Sequence, residues 1–228
     1  MSIYTFIFAR GGSKGLPGKN IKLLGGIPLI GHSINLARQI SGIKKIFVST
    51  DSDEIAAVSE SFSVEVIKRP EELASDTASE WLAWQHAIQY LHARGESFDV
   101  FLSLPTTSPL RGTTDVEQCL AALDERTDMV VTVTPAARSP YFNMVVRGED
   151  GYSEVVIHDD TIRRRQDAPT VYDMSTVAYV SRPEFILNHS GVFAGNVKSV
   201  IVPKDRAVDI DDNFDFMVAE ALYRECQQ

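Results

Sequence analysis

The sequence predicts an α/β fold: a mostly parallel sheet flanked by helices, in one domain spanning 1–228. Two observations predict it. Short β-branched and aromatic runs alternate with segments whose apolar residues recur at helical spacing, the pattern of strands joined by helical crossovers. The 228 residues, 44% hydrophobic and 23% charged, suffice for one well-buried core and not for a second full domain.

The elements follow in order. Tyr4 to Ala9 is an aromatic and β-branched run that stops at Arg10-Gly11-Gly12, as a first central strand feeding a loop does. Ile30 to Gln39 has helical spacing and Lys45 to Ser49 returns to a strand, so the first βαβ unit has a long first connection. Val64 to Ile67 reads as a short strand, the stretch from about Ser79 to His92 as a helix, and Phe98 to Leu104 as another central strand. Asp115 to Ala122 is amphipathic and Met129 to Val133 strongly β-branched. From Arg138 to about Thr176 the periodicity is broken at Pro140, Asn143, Gly148, Gly151 and Asp159-Asp160, and basic residues cluster at Arg163-Arg164-Arg165. A lid, or an arm reaching a neighbouring subunit, has this character. Val177 to Val180 and Val197 to Val202 are strand-like, and Phe214 to Arg224 is the final helix.

A net charge of -9 argues against a broad nucleic-acid surface, while leaving room for a local anion pocket. No segment approaches the roughly 18 apolar residues of a membrane span. Arg10 interrupts the first apolar run too early for a secretory signal, and Cys119 and Cys226 stand far apart outside any metal-spacing motif. The expectation is a cytoplasmic protein in a reducing setting, with no membrane or nucleic-acid partner. His32, His86, His92, His158 and His189 are scattered without ligand spacing.

Three segments carry chemistry. In Arg10-Gly11-Gly12-Ser13-Lys14-Gly15-Leu16-Pro17-Gly18-Lys19-Asn20, glycines let backbone N–H groups turn inward as an anion nest, and Arg10, Lys14 and Lys19 add positive charge. It is no P-loop, because Ser13 stands where the first glycine belongs and Asn20 where Ser or Thr belongs; the G-x-G-x-x-G fingerprint is also absent. The loop therefore reads as a phosphate cradle of another kind at the C-terminal edge of the first strand. Thr106-Thr107-Ser108-Pro109-Leu110-Arg111 follows a central strand, where its hydroxyls and Arg111 either read a base or fix the loop. Asp209 and Asp211 lie on one side of an extended segment and suit a hard cation, Mg²⁺ or Mn²⁺, with Asp212 or Asn213 left to cap the last helix. Asp51 and Asp53, after the Lys45 to Ser49 strand, either meet ribose hydroxyls or cap a helix, with capping the expectation for Asp53.

The Arg10 to Asn20 loop resembles that of the N-acylneuraminate cytidylyltransferase family, including its members for other nonulosonic acids. The likeness recurs at Ser49-Thr50-Asp51-Ser52, Arg69 to Ala74, Thr107 to Arg111, Ser139 to Asn143, Arg165-Gln166-Asp167 and Asp209-Ile210-Asp211. It implies a Rossmann-like nucleotidyltransferase domain with a protruding dimerisation and sugar-site segment at about 138–176, which crosses to the partner of a homodimer. It also implies a Mg²⁺-dependent reaction of CTP with an acidic keto sugar, giving a CMP-sugar and pyrophosphate. The nucleotide side would comprise Arg10, Gly11, Gly12, Ser13, Lys14, Lys19, Asn20, Thr106, Ser108 and Arg111. The sugar side would comprise Tyr141, Asn143, Arg165, Gln166, Ser175 and Tyr179, the metal would sit on Asp209 and Asp211, and catalysis would depend on Arg10, Lys14 and Asp211.

Two departures stand out. Pro105 replaces a glutamine common in the family, leaving cytosine to backbone groups or Thr106, and Ser175-Thr176-Val177 replaces an Asn-Gly-Ala type stretch. The second points to a legionaminic, deaminated or otherwise modified nonulosonate, with a 3-deoxy-octulosonate as the alternative. A nonenzymatic nucleotide-binding protein is a further alternative, opposed by the retention of both the cationic loop and the paired carboxylates.

Overall fold

The computed structural model describes residues 1–75 and 77–225. In chain order the elements are β1 (Ile3–Phe8), the two-residue strands β2 (Leu23–Leu24) and β3 (Ile27–Pro28), α1 (Leu29–Gln39), β4 (Ile43–Thr50), α2 (Asp53–Ser61), β5 (Glu65–Lys68), α3 (Glu80–Ala93), β6 (Val100–Ser103), α4 (Thr113–Ala122), β7 (Met129–Pro135), β8 (Val145–Arg147), β9 (Ser153–Val155), β10 (Tyr172–Ser181), α5 (Pro183–Asn188), β11 (Val197–Ile201) and α6 (Asn213–Glu225). Seven strands form one sheet in the order β11-β7-β10-β6-β1-β4-β5. β10 is antiparallel to both its neighbours, and the remaining pairs are parallel.

Alternation along the central strands builds two apolar layers. Ile7, Val48, Leu102 and Val180 pack with Ile30, Ile34 and Val116 of α1 and α4. Their neighbours Phe6, Phe47, Phe101 and Tyr179 face the other way, onto Trp84, Ile88 and Leu91 of α3 and Phe185 of α5. Each fully buried ring or branched side chain contributes about 1.5–3 kcal/mol, so these layers fix the strand ends on which the loops stand. A smaller cluster of Leu16, Leu24, Leu29, Ile210, Phe216 and Ala219 joins the glycine-rich loop to the segment before α6.

The sheet is mostly parallel, as expected, and one strand, β10, makes it mixed by running against the rest. It begins at Tyr172, five residues before the expected Val177, since residues 172–175 pair with β7 despite their polar character. The aperiodic stretch contains a β-hairpin, Val145–Arg147 with Ser153–Val155, and α5 is a short helix the periodicity does not reveal. Ser52, not Asp53, caps α2, accepting from Ile55 N at 3.4 Å; Asp53 is in the first turn, paired with Lys68. Buried Cys119 has its thiol pushed up to about 12 by burial, whereas Cys226 lies outside the described residues. Among the described residues, no helix is long and apolar enough to cross a membrane.

Candidate active site

A cavity of about 540 Å³ opens where the loops after β1, β5 and β6 meet the segment before α6. It brings together Arg10, Ser13, Lys14, Lys19, Asn20, Thr106, Asp209 and Asp211, eight of the residues expected from sequence. The cationic loop and the paired carboxylates, 190 positions apart in the chain from Lys19 to Asp209, thus share one space because the third apolar cluster clamps their backbones together.

Local bonds hold this geometry. Lys19 Nζ donates to the Ile210 carbonyl at 2.7 Å and to Asp211 Oδ1 at 3.2 Å. Asn20 Nδ2 donates to the Arg10 carbonyl at 2.9 Å, and the Thr106 hydroxyl donates to Asn20 Oδ1. Gly11 N donates to Asp51 Oδ1 at 3.0 Å, which gives Asp51 a place in holding the loop. Arg10 Nη1 reaches the Ala74 carbonyl at 3.5 Å.

Asp209 is the more enclosed carboxylate. Burial holds its carboxyl above the usual carboxylate range, against the opposing influence of the Thr107 hydroxyl; the charge of Asp211 adds to the rise, while Thr176 and Lys19 counter it. Its Oδ1 is buried without a hydrogen-bond partner among the described residues. No group of three or more His, Cys, Asp or Glu converges on a metal position among those residues. Two carboxylates with an orphaned oxygen nevertheless fit Mg²⁺, which commonly binds one or two protein carboxylates and takes its other ligands from phosphates and water. Asp209 and Asp211 would hold it.

Other expected residues stand elsewhere. Gly11 and Gly12 belong to the loop but do not line the cavity. Arg111 is 4% exposed and donates to the Pro105 carbonyl and, at 3.2 Å, to Ser33 Oγ, so it fixes the loop instead of reading a base. Ser108 Oγ lies 2.7 Å from Thr176 Oγ1, buried behind the cavity wall. Ser175 turns into the sheet, its hydroxyl 2.9 Å from Thr132 Oγ1, and Tyr179 packs against Trp84 at 5.3 Å with its hydroxyl pKa raised by burial. Neither points a side chain at the cavity; a register irregularity between Ser175 and Val180 presents Thr176 there instead. Tyr141, Asn143, Arg165 and Gln166 do not line the cavity in this single chain: Asn143 Oδ1 accepts from Ser139 N at 2.7 Å, and Arg165 donates to the Ala137 carbonyl at 3.4 Å.

The cavity also holds residues that sequence reasoning gave no role, Phe8, Arg69, Glu80 and Thr176, together with Thr107, one of the loop hydroxyls expected to read a base or fix the loop. The available signal was position, since Arg69 follows β5 directly and Thr107 follows β6, both at the strand ends where ligands meet such sheets. Buried Arg69 donates through Nε to Ser49 Oγ at 3.2 Å and through Nη2 to the Ser49 carbonyl at 2.8 Å, and burial lowers its pKa.

Residues 5–198 match the family model for cytidylyltransferases. The chain is 34% identical to the post-translational flagellin modification protein B of Campylobacter coli, covering 98% of this chain and 95% of that protein. It is 33% identical to the CMP-N,N'-diacetyllegionaminic acid synthase of Campylobacter jejuni, over 96% of this chain and 94% of that one. A solved structure of CMP:2-keto-3-deoxy-manno-octonic acid synthetase with CTP superposes with a TM-score of 0.74 over 99% of both chains, at 18% identity, and so shows the shared fold.

Proposed function

This chain belongs to the N-acylneuraminate and nonulosonic-acid cytidylyltransferase family, and on that premise we propose that it transfers a cytidylyl group from CTP to a nonulosonic acid, releasing pyrophosphate. The observation that carries the proposal is the meeting of Arg10, Lys14 and Lys19 with Asp209 and Asp211 around one cavity.

Arg10 and Lys14 hold the triphosphate, with Ser13 and the backbone of the glycine-rich loop alongside. Charge that develops on the nonbridging and leaving oxygens meets these preplaced cations, so alignment and neutralisation do most of the work. The sugar's anomeric hydroxyl attacks the α-phosphorus, and the bond to pyrophosphate breaks. Lys19 keeps the carboxylate side and the cradle side in register through its contacts with Ile210 and Asp211. When bound, Mg²⁺ supplies further neutralisation of phosphate charge beside Asp209 and Asp211.

The favoured acceptor is a nine-carbon acid of the legionaminate kind. Support comes from the near full-length likeness to the C. jejuni synthase and from Ser175-Thr176-Val177, which alters the wall beside the cavity. A homodimer is part of the same reading. The 138–176 segment exposes Phe142, Met144, Val145, Val146 and Tyr152, apolar surface that a second copy would cover, bringing Tyr141, Asn143, Arg165 and Gln166 toward the partner's sugar site. Use of CTP fits a cytoplasmic location.

The test crosses the four ribonucleoside triphosphates with a panel of eight- and nine-carbon keto acids under Mg²⁺ and measures pyrophosphate. Turnover with CTP and a nine-carbon acid is expected. No turnover with any pair overturns the enzyme assignment, and turnover with an eight-carbon acid alone overturns the sugar.

A further inference from the structure

Glu80 is the first residue of α3, directly after the capping Ser79, and its side chain lines the cavity beside Phe8, Arg69 and Leu73. It stands on a rigid floor. Trp84, one turn along the helix, is 2% exposed and packs against Phe101 and Tyr179, each at 5.3 Å between ring centroids. From that floor Trp84 Nε1 donates to Glu80 Oε1 at 3.3 Å.

This indole is the only hydrogen-bond donor to the Glu80 carboxylate among the described residues. A carboxylate has about four acceptor sites, so most of its capacity faces the cavity. Arg69 supports it through charge alone, because its Nε and Nη2 are engaged with Ser49 and its guanidinium lies over the Phe8 ring at 5.6 Å. Glu80 keeps surface open to solvent at the cavity mouth, and the protein crowded around it holds the carboxyl above its usual range, with the Trp84 hydrogen bond and Arg69 opposing the rise and Asp209 adding to it. A carboxylate so placed gains from donors brought by whatever fills the cavity.

Charge narrows what those donors are. The cations lining the cavity besides Arg69 are Arg10, Lys14 and Lys19, on the loop after β1, and phosphates or a sugar carboxylate belong there. The Glu80 charge repels such groups, so the substrate edge that meets it is uncharged.

We propose that Glu80 is a specificity-determining residue that accepts a hydrogen bond from an uncharged N–H or O–H donor of the substrate, on an edge remote from its phosphate and carboxylate groups. Two sources offer this chemistry: the 4-amino group of cytosine, for which a carboxylate is a natural acceptor, and a hydroxyl or acylamino N–H of the sugar acid. Uracil, with a carbonyl at the same ring position, would turn an acceptor toward an acceptor. The inference rests on the cytidylyl-transfer reading above.

The deciding variant is Glu80→Gln, which keeps the shape and an oxygen for Trp84 but exchanges charge for a mixed amide. Calorimetric titration of the sugar-free protein with CTP and with UTP reads the base. Steady-state kinetics at saturating CTP read the sugar. A loss of about tenfold in CTP affinity with a narrowed CTP-to-UTP preference supports the base as donor. Unchanged CTP affinity with a sugar KM raised about tenfold supports the sugar. Glu80→Asp, which retains the charge one methylene further back, should show the same pattern more weakly and guards against a folding artefact. If the wild-type protein turns over and both variants match it in CTP affinity, CTP-to-UTP preference and sugar KM, the inference falls alone. If the wild-type protein neither binds CTP nor releases pyrophosphate, the functional reading falls and takes this inference with it.

Discussion

Gly15 and Asp211 approach so closely that a Cβ on Gly15 would lie 2.3 Å from the Asp211 carbonyl oxygen. The loop that supplies the cations and the segment before α6 that supplies the carboxylates therefore touch through bare backbone. Gly15→Ala must push the two apart, because a backbone atom cannot swing aside as a side-chain tip does. Overpacking of this kind costs about 1–3 kcal/mol, and the displacement falls on the phosphate cradle. We expect CTP affinity to fall about tenfold or more, with a melting temperature lowered by a few degrees; titration calorimetry and a thermal melt check both.

Asp211 separates chemistry from stability. Its side chain is 77% exposed, Asn keeps an oxygen for Lys19, and Lys19 Nζ also donates to the Ile210 carbonyl, so removing the Asp211 charge leaves little unpaired in the interior. Asp211→Asn should lower turnover about a hundredfold or more while leaving the melting temperature within about two degrees. Mg²⁺-dependent turnover equal to the wild type would remove Asp211 from the catalytic set.

Arg111 should behave in the opposite way. Its guanidinium is buried, bonded to Pro105 and Ser33, and desolvation lowers its pKa to about 9, with Asp209 and Asp115 opposing. Arg111→Met leaves the Pro105 carbonyl without its donor, and losing a buried charged hydrogen bond of this type costs about 2–4 kcal/mol. Urea melts should register that loss, whereas the KM for CTP in the folded fraction should change less than about threefold.

The contrast between Asp211 and Arg111 shows what was legible in the sequence. Position after the first strand and residue chemistry pointed to the cation loop, same-side spacing in an extended segment pointed to Asp209 and Asp211, and these residues line one cavity. Those cues do not give the direction of a side chain. Arg111 turns inward to satisfy a carbonyl, and Ser175 yields the cavity to Thr176 because β10 is irregular there. β10 itself reads as two things at once, since its first residues pair with β7 with the apolar Tyr172 and Met174 exposed and the polar Ser175 buried, the reverse of the usual pattern. Glu80 and Arg69 were invisible as a pair because the fold brings them together from different elements.

The exposed face of the 138–176 segment has its own test. Val145 and Val146 are 56% and 63% exposed on β8, beside Phe142 and Met144. In an isolated chain a charge placed there would be harmless. In a dimer that covers the hairpin it would be trapped without a partner. Val146→Glu should shift the mass measured by light scattering from about twice the chain mass toward 25.2 kDa and lower turnover with it. A wild-type protein that is already monomeric at micromolar concentration would rule out this use of the segment.

Glu80 also predicts how stability depends on pH. Its folded-state pKa is raised above the unfolded reference of 4.5, burial being the largest cause. The protonated carboxyl is thus the better tolerated form in the folded chain. The contribution of this group is most favourable below pH 4.5 and is lost as pH rises from there through the elevated folded value. Above that window the ionised carboxylate costs stability, by an amount that solvent at the exposed cavity mouth keeps small, and Glu80→Gln removes the cost while keeping the Trp84 hydrogen bond. The variant should therefore melt higher than wild type at pH 7 to 8, with the gap closing as pH falls below about 5. Paired melts of the two proteins across pH 4 to 8 measure the difference directly, and a gap that stays constant or widens toward acid contradicts the assignment of a strained, ionised Glu80. A gain in stability together with lost substrate preference would identify Glu80 as a residue kept for recognition at the expense of the fold.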